Sequence, residues 1–299
     1  MDSGTLAAPA DLKAGAAAAD KLAERLTAVW QELIEAGDPL ADPEVVHRLR
    51  VATRRSLAAV AAFEPLLPRK KSRAFKRRLR LIRRAAGEAR DLDVLVDRLR
   101  QRWPVPTAGA PEAGRVIGLL AEQQTASRGP IRECWAELTS WDWPARQARL
   151  LKLLAELDSS RYVRFARRQM RLAGRQFFAT TGPFRRAAQL HQFRIRGKRL
   201  RYSLDLFADA LKPRPQARCL KRLKQMQEAL GDFTDHTAAA ARFGELANKF
   251  PDSETAEFVD SLRREERRLA RLARRRFNRW WTDQRRQTLK RLLRKAVTP

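Results

Sequence analysis

Apolar residues along this chain recur every three or four positions and rarely alternate, the spacing of helices rather than strands. Ala, Leu, Arg, Glu and Gln dominate, while Val, Ile, Thr and Tyr are sparse. The pattern predicts an all-α fold. Breakers cluster at EAGDPLADP (35–43), PLLPRK (65–70), WPVPTAGAP (103–111), TSWDWP (139–144), TTGPF (180–184), LKPRP (211–215) and NKFPDS (248–253). They separate eight predicted helices, at 12–36, 43–64, 70–101, 112–139, 147–180, 185–209, 215–249 and 253–296. Most are of roughly 20 to 35 residues, a length suited to bundles.

Sliding the chain by 144 residues superposes it on itself. His47 lands on His191, Arg50 on Arg194, Arg54 on Lys198, Arg55 on Arg199 and Phe63 on Phe207. At the same offset Arg78 lands on Arg222, Arg80 on Lys224, Gly87 on Gly231, Glu88 on Asp232 and Asp91 on Asp235. The expected architecture is therefore two tandem four-helix bundles related by internal duplication, over residues 1–144 and 145–299.

The second helix of each copy is two-faced. At about 100° per residue, His191, Arg194, Lys198 and Tyr202 form one line, flanked by Arg199 and Arg201. Phe193, Leu200, Leu204 and Phe207 fall opposite. In the first copy His47, Arg50 and Arg54 make the stripe, with Arg55 beside it and Leu49, Val60 and Phe63 opposite. The third helices carry apolar seams, Leu79, Ile82 and Ala86 matched by Leu223, Met226 and Leu230. Beside the seams run Lys76, Arg77, Arg78 and Arg80, matched in part by Lys221, Arg222 and Lys224. If these helices face each other, four basic stripes line one central groove.

Charge gives the stripes a purpose. The chain of 299 residues carries a net charge of +29, most of it in residues 145–299. Such a balance predicts attraction to polyanions: nucleic acid, anionic membrane or polymeric phosphate. Solvated surface is the ordinary explanation of a single basic helix face, but a cationic pattern repeated at one register favours a ligand. Arg grips two phosphate oxygens at once, Lys adds a mobile point charge, and His can donate a hydrogen bond. The competing reading of His47 and His191 is a packed histidine orienting a neighbour. Glu88, Asp91, Asp232 and Asp235 are expected to hold arginines of the adjacent helix in place, rather than to bind metal or do acid–base chemistry.

Two cysteines, Cys134 and Cys219, form no C-x-x-C pair, which suits a reducing compartment. The N-terminus lacks an apolar signal core and no run of about 18 apolar residues occurs, so a soluble, cytoplasmic protein is expected.

Four segments resemble the CHAD family, the conserved-histidine α-helical domain. They are VHRLRVATRRSLAAVAAFEPLLP (46–68), LRLIRRAAGEARDLDVL (79–95), HQFRIRGKRLRYSLDLF (191–207) and LKRLKQMQEALGDFTDH (220–236). The resemblance implies a pair of four-helix bundles whose basic groove binds inorganic polyphosphate, in proteins linked to polyphosphate granules. The ligand set it implies is His47, Arg50, Arg54, Arg55 and Arg80, with His191, Arg194, Lys198, Arg199, Arg201, Tyr202 and Lys224. Arg201 and Tyr202 lie over Leu57 and Ala58 of the first copy, so unequal halves are expected. Some relatives carry a triphosphatase domain with a Glu-x-Glu-x-Lys strand. No two glutamates here stand two apart, and that activity is not expected.

A non-catalytic polyphosphate binder, without cofactor or metal, is thus the first expectation. A nucleic-acid binder is the alternative, for which Trp280 and Trp281 are candidate exposed stacking platforms. A phosphohydrolase is the third, with His236 beside Asp235, but no phosphate-cradling Gly loop or metal motif supports it. The basic run 261–281 reads as the last bundle helix, or as a further anion or membrane-surface contact.

Overall fold

The computed structural model describes residues 13–38, 42–104, 111–157, 161–180, 182–250 and 253–298. Those residues form twelve α-helices and three short 3-10 turns, with no strand among them. In chain order the first six are α1 (Ala14–Ala36), α2 (Pro43–Ala62), α3 (Arg69–Arg102), α4 (Pro111–Ala126), α5 (Gly129–Ser140) and α6 (Trp143–Leu157). Then follow α7 (Tyr162–Phe178), α8 (Ala187–Leu206), α9 (Pro213–Ala229), α10 (Gly231–Leu246), α11 (Ser253–Trp280) and α12 (Asp283–Val297).

The breakers end helices where expected, but four predicted helices are each divided. The 112–139 helix splits because Gly129–Pro130 interrupts it, proline having no N–H to donate and clashing with the preceding turn. The buried Arg128 seals that break on Asp93 of α3, at 2.9 Å, and Gln124 bonds the same carboxylate oxygen at 2.8 Å. The 147–180 helix becomes α6 and α7; its intervening residues 158–160 lie outside the described set. The 215–249 helix parts at Leu230, between α9 and α10. The last divides at Trp281, where the Thr282 side chain accepts from the Arg285 amide and caps α12.

The apolar seams read from the sequence are buried: Leu79, Ile82 and Ala86 on α3, and Leu223, Met226 and Leu230 on and after α9. So are Leu49, Val60 and Phe63, and Phe193, Leu200, Leu204 and Phe207. Burying each Leu or Phe contributes about 1.5–3 kcal/mol, which is what turns the basic stripes outward. One core cluster runs from Ala14 to Val297 through both halves of the chain. α1 packs on α2 and α6, α7 on α8 and α12, and α2 on α8. The register-matched Phe63 and Phe207 meet edge to face, with ring centroids 5.5 Å apart.

A second cluster lies apart from the first. Leu92, Leu95, Val96 and Leu99 of α3 pack with Val116 and Leu120 of α4, Phe243 and Leu246 of α10, and Val259 and Leu262 of α11. It joins α3 and α4 of the first half to α10 and α11 of the second.

A cationic cavity as the candidate functional site

Between the two clusters opens a cavity of about 1120 Å³. Its first wall is α2, with His47, Arg50 and Arg54, and the C-terminal half of α3, with Arg84, Glu88, Arg90, Asp91 and Arg98. Its second wall is α8, with His191, Arg194 and Lys198, and α10, with Asp235, Arg242 and Glu245. The matched stripes of both copies thus face one space. Neither conserved-register histidine enters an apolar interior: His191 is exposed and His47 half-buried at the cavity wall.

The cations are close enough to feel one another across the boundary between halves. Burial pushes the Lys198 ammonium down to about 7, reinforced by Arg54, Arg194, Arg50 and Arg201. Burial likewise lowers Arg54, as do Arg50, Arg194 and Arg201, while Tyr202 acts in the opposite sense. Arg194 is lowered mainly by burial, Asp235 pulling back against it and Arg50 adding repulsion. His47 is lowered by burial and then by Arg90. The Nε groups of Arg54, Arg194 and Arg201 are buried without a hydrogen-bond partner among the described residues. Like charge and burial thus both oppose the cations gathered at this wall.

The carboxylates act as the sequence suggested in one clear case. Asp91 accepts from Arg50 Nη1 at 2.6 Å and holds that guanidinium against the cavity, where Arg50 Nη1 also reaches the Gly87 carbonyl at 3.4 Å. Asp235 faces Arg194 electrostatically. Glu88 lines the cavity, whereas Asp232 pairs with Arg276 of α11 at 3.0 Å instead of a stripe arginine. Among the described residues no group of three or more His, Cys, Asp or Glu side chains is placed to hold a metal ion.

Not every predicted ligand is in the cavity. Arg78 is buried, its guanidinium 3.8 Å from the Trp141 ring centre and 3.6 Å from Glu137. It is a packing residue between α3 and α5, because its position on α3 faces the core seam. Arg55, Arg80, Arg199, Lys221, Arg222 and Lys224 are exposed and outside the lining. Arg199 acts on Glu64 instead, Arg222 reaches Gln225 at 3.4 Å, and Lys224 reaches Glu228 at 3.8 Å. Arg80 lies one turn before Arg84 on α3, about 6 Å short of the lining. Arg201 and Tyr202 stand just behind the cavity, the Arg201 guanidinium 5.4 Å from the buried tyrosine ring.

Sequence reading missed Arg84, Arg90, Arg98 and Arg242. Arg98 and Arg242 lie 144 residues apart, so the same repeat search extended by two turns would have found them. Both are partly neutralised, Arg98 by Glu266 and Arg242 by Glu245 at 3.0 Å, and Arg242 also donates to Gln123 at 2.6 Å. Two other expectations are corrected. Trp280 and Trp281 are half-buried, in an aromatic cluster with Phe177, Phe193 and Phe277, and are not open platforms. His236 is turned away from Asp235 to Glu266, 2.6 Å from Nδ1, within a network that also holds Arg98. In α11, Leu262 and Phe277 are buried and Leu269 half-buried, while Leu272 is exposed. No helix among the described residues is long and apolar enough to cross a membrane.

Comparison with known proteins bears on the fold. The chain is similar to the crystal structure of the CHAD domain from the plant Ricinus communis, at 24% identity and a TM-score of 0.71 over 89% of each chain. It is also similar to PptA from Streptomyces chartreusis, at 19% identity and a TM-score of 0.65, over 90% of this chain and 99% of that one. No curated protein matches the chain. The CHAD domain profile matches residues 17–244, from α1 to α10, and includes all four basic stripes. With most of its length matched, the chain belongs to the CHAD domain family.

Proposed function

We propose that this protein binds inorganic polyphosphate in the cavity between α2, α3, α8 and α10, as a non-catalytic module, and that this binding attaches it to polyphosphate granules. The observation that supports the reading most directly is the meeting of Arg50 and Arg54 with Arg194 and Lys198 at one cavity wall, where burial first and then the neighbouring guanidiniums bring the lysine down to about 7. A linear chain of phosphates would relieve that repulsion and let both halves act on one ligand. Membership of the CHAD family favours the same ligand over other polyanions. Nucleic acid is a weaker occupant, because the cavity offers no open aromatic face: Phe233 is its one aromatic lining residue and is buried.

The test is calorimetric titration of polyphosphate into wild type and into the triple variant Arg54→Ala, Arg194→Ala, Lys198→Ala. Binding should fall by at least about a hundredfold, given 1.5–3 kcal/mol for each charged hydrogen bond. Polyphosphate should displace single-stranded DNA far better than DNA displaces polyphosphate. Unchanged affinity in the folded triple variant would sink the assignment.

A further inference from the structure

A second concavity, about 330 Å³, lies between α10 and α11. On α11 it is lined by Arg267, Arg271 and Arg274, spaced i, i+4 and i+7, which puts all three on one face over about 10 Å of helix. On α10 it is lined by Phe233, Thr237, Ala240 and Ala241, all of which except Ala240 also line the main cavity. The two spaces therefore lie on either side of a shared ridge on α10, and Ala187, at the start of α8, borders both.

The charge balance of the smaller space is one-sided. The main cavity contains Glu88, Asp91, Asp235 and Glu245 among its cations; the smaller one has no carboxylate in its lining. Nearby acids are already engaged: Asp232 with Arg276, Glu265 with Arg102, and Glu266 with Arg98 and His236. Arg274 donates to the Arg185 carbonyl. No ion pair involves Arg267, Arg271 or Arg274 among the described residues.

The first copy has no equivalent. The positions that precede Arg267, Arg271 and Arg274 by the repeat offset are Gln123, Ser127 and Pro130, none of them charged. The three arginines on α11 therefore have no charged counterpart at the matched positions of the first half.

We propose that the polyphosphate site continues over the α10 ridge onto α11, where Arg267, Arg271 and Arg274 form a second anion track that long chains reach and short ones do not. The inference rests on the main cavity being the polyphosphate site. It makes the protein selective for chain length and gives the bound polymer one favoured exit.

The experiment compares tripolyphosphate with long-chain polyphosphate on four proteins, with a fifth variant as a guard on folding. These are wild type, the track variant Arg267→Ala, Arg271→Ala, Arg274→Ala, a cavity variant Arg54→Ala, Lys198→Ala, and a charge-matched control, Arg268→Ala, Arg275→Ala, Arg279→Ala. The control residues are exposed on α11 and outside both linings. The double variant Arg267→Ala, Arg271→Ala keeps the Arg274–Arg185 bond and guards against loss of folding. The track variant should lose about tenfold for the long chain, from three exposed charge contacts, and nothing for tripolyphosphate. Its salt slope for the long chain should be shallower by about 2. The track is overturned if long-chain affinity is unchanged, if both ligands weaken alike, or if the charge-matched control loses as much. A cavity variant that keeps wild-type affinity for tripolyphosphate instead overturns the underlying cavity assignment, and the track with it.

Discussion

Lys198 shows how one residue can report on the whole site. Its ammonium titrates near 7 because burial and four arginines oppose its charge. An anion lying against it would reverse that balance, so binding should draw a proton onto the amine. Affinity should therefore weaken as pH rises through about 7, and titrations in buffers of different ionisation heat should reveal proton uptake at mildly alkaline pH. Lys198→Arg keeps the cation and should flatten this pH dependence; a slope unchanged in that variant would place the titrating group elsewhere. The sign for stability is opposite. Between about 7 and the ordinary lysine value of 10.5 the unfolded chain holds more protons than the folded one. In that window the unliganded protein should gain stability with rising pH from this group, and Lys198→Met should abolish the gain in urea titrations.

At the scale of helices, the break between α4 and α5 is held by the buried Arg128–Asp93 pair. Removing one partner strands the other charge, so Asp93→Ala should destabilise by about 3 kcal/mol or more, read as a lower urea midpoint. The double change Asp93→Leu, Arg128→Met should recover part of that loss. This break was poorly legible in the sequence, because Gly129–Pro130 was a short signal and the apolar spacing resumes in helical phase beyond it at Ile131, Cys134 and Leu138. The division at Leu230 was hidden for a different reason: α3 runs unbroken through Ala86 and Gly87, the positions matched to Leu230 and Gly231, so the first half carries no corresponding break. What was legible is what burial dictates. The stripes on α2 and α8 follow from which side carries Leu and Phe, and periodicity reads that directly. The direction of individual cations on α3 and α9 was not legible. Arg78 and Arg80 differ by two positions; one stacks under Trp141 and the other is exposed, a distinction set by a tertiary neighbour.

Across the whole molecule, net charge of +29 works against compaction until something screens it. Polyphosphate should therefore raise the melting temperature. At a hundredfold excess over the dissociation constant the linked stabilisation is about 2.7 kcal/mol. The gain should shrink as sodium chloride is added, because each neutralised phosphate contributes a slope of about −0.7 if single-stranded nucleic acid is a guide. A melting temperature indifferent to polyphosphate at low salt would count against any folded-state site. The second core cluster has a consequence of its own. Because Leu92, Leu95 and Leu99 are covered by Phe243, Leu246 and Val259, severing the polypeptide between α6 and α7 would leave each fragment with a bare oily flank. Made separately the pieces should clump; made together they should snap into a nicked but working whole, with the phosphate polymer as the splint.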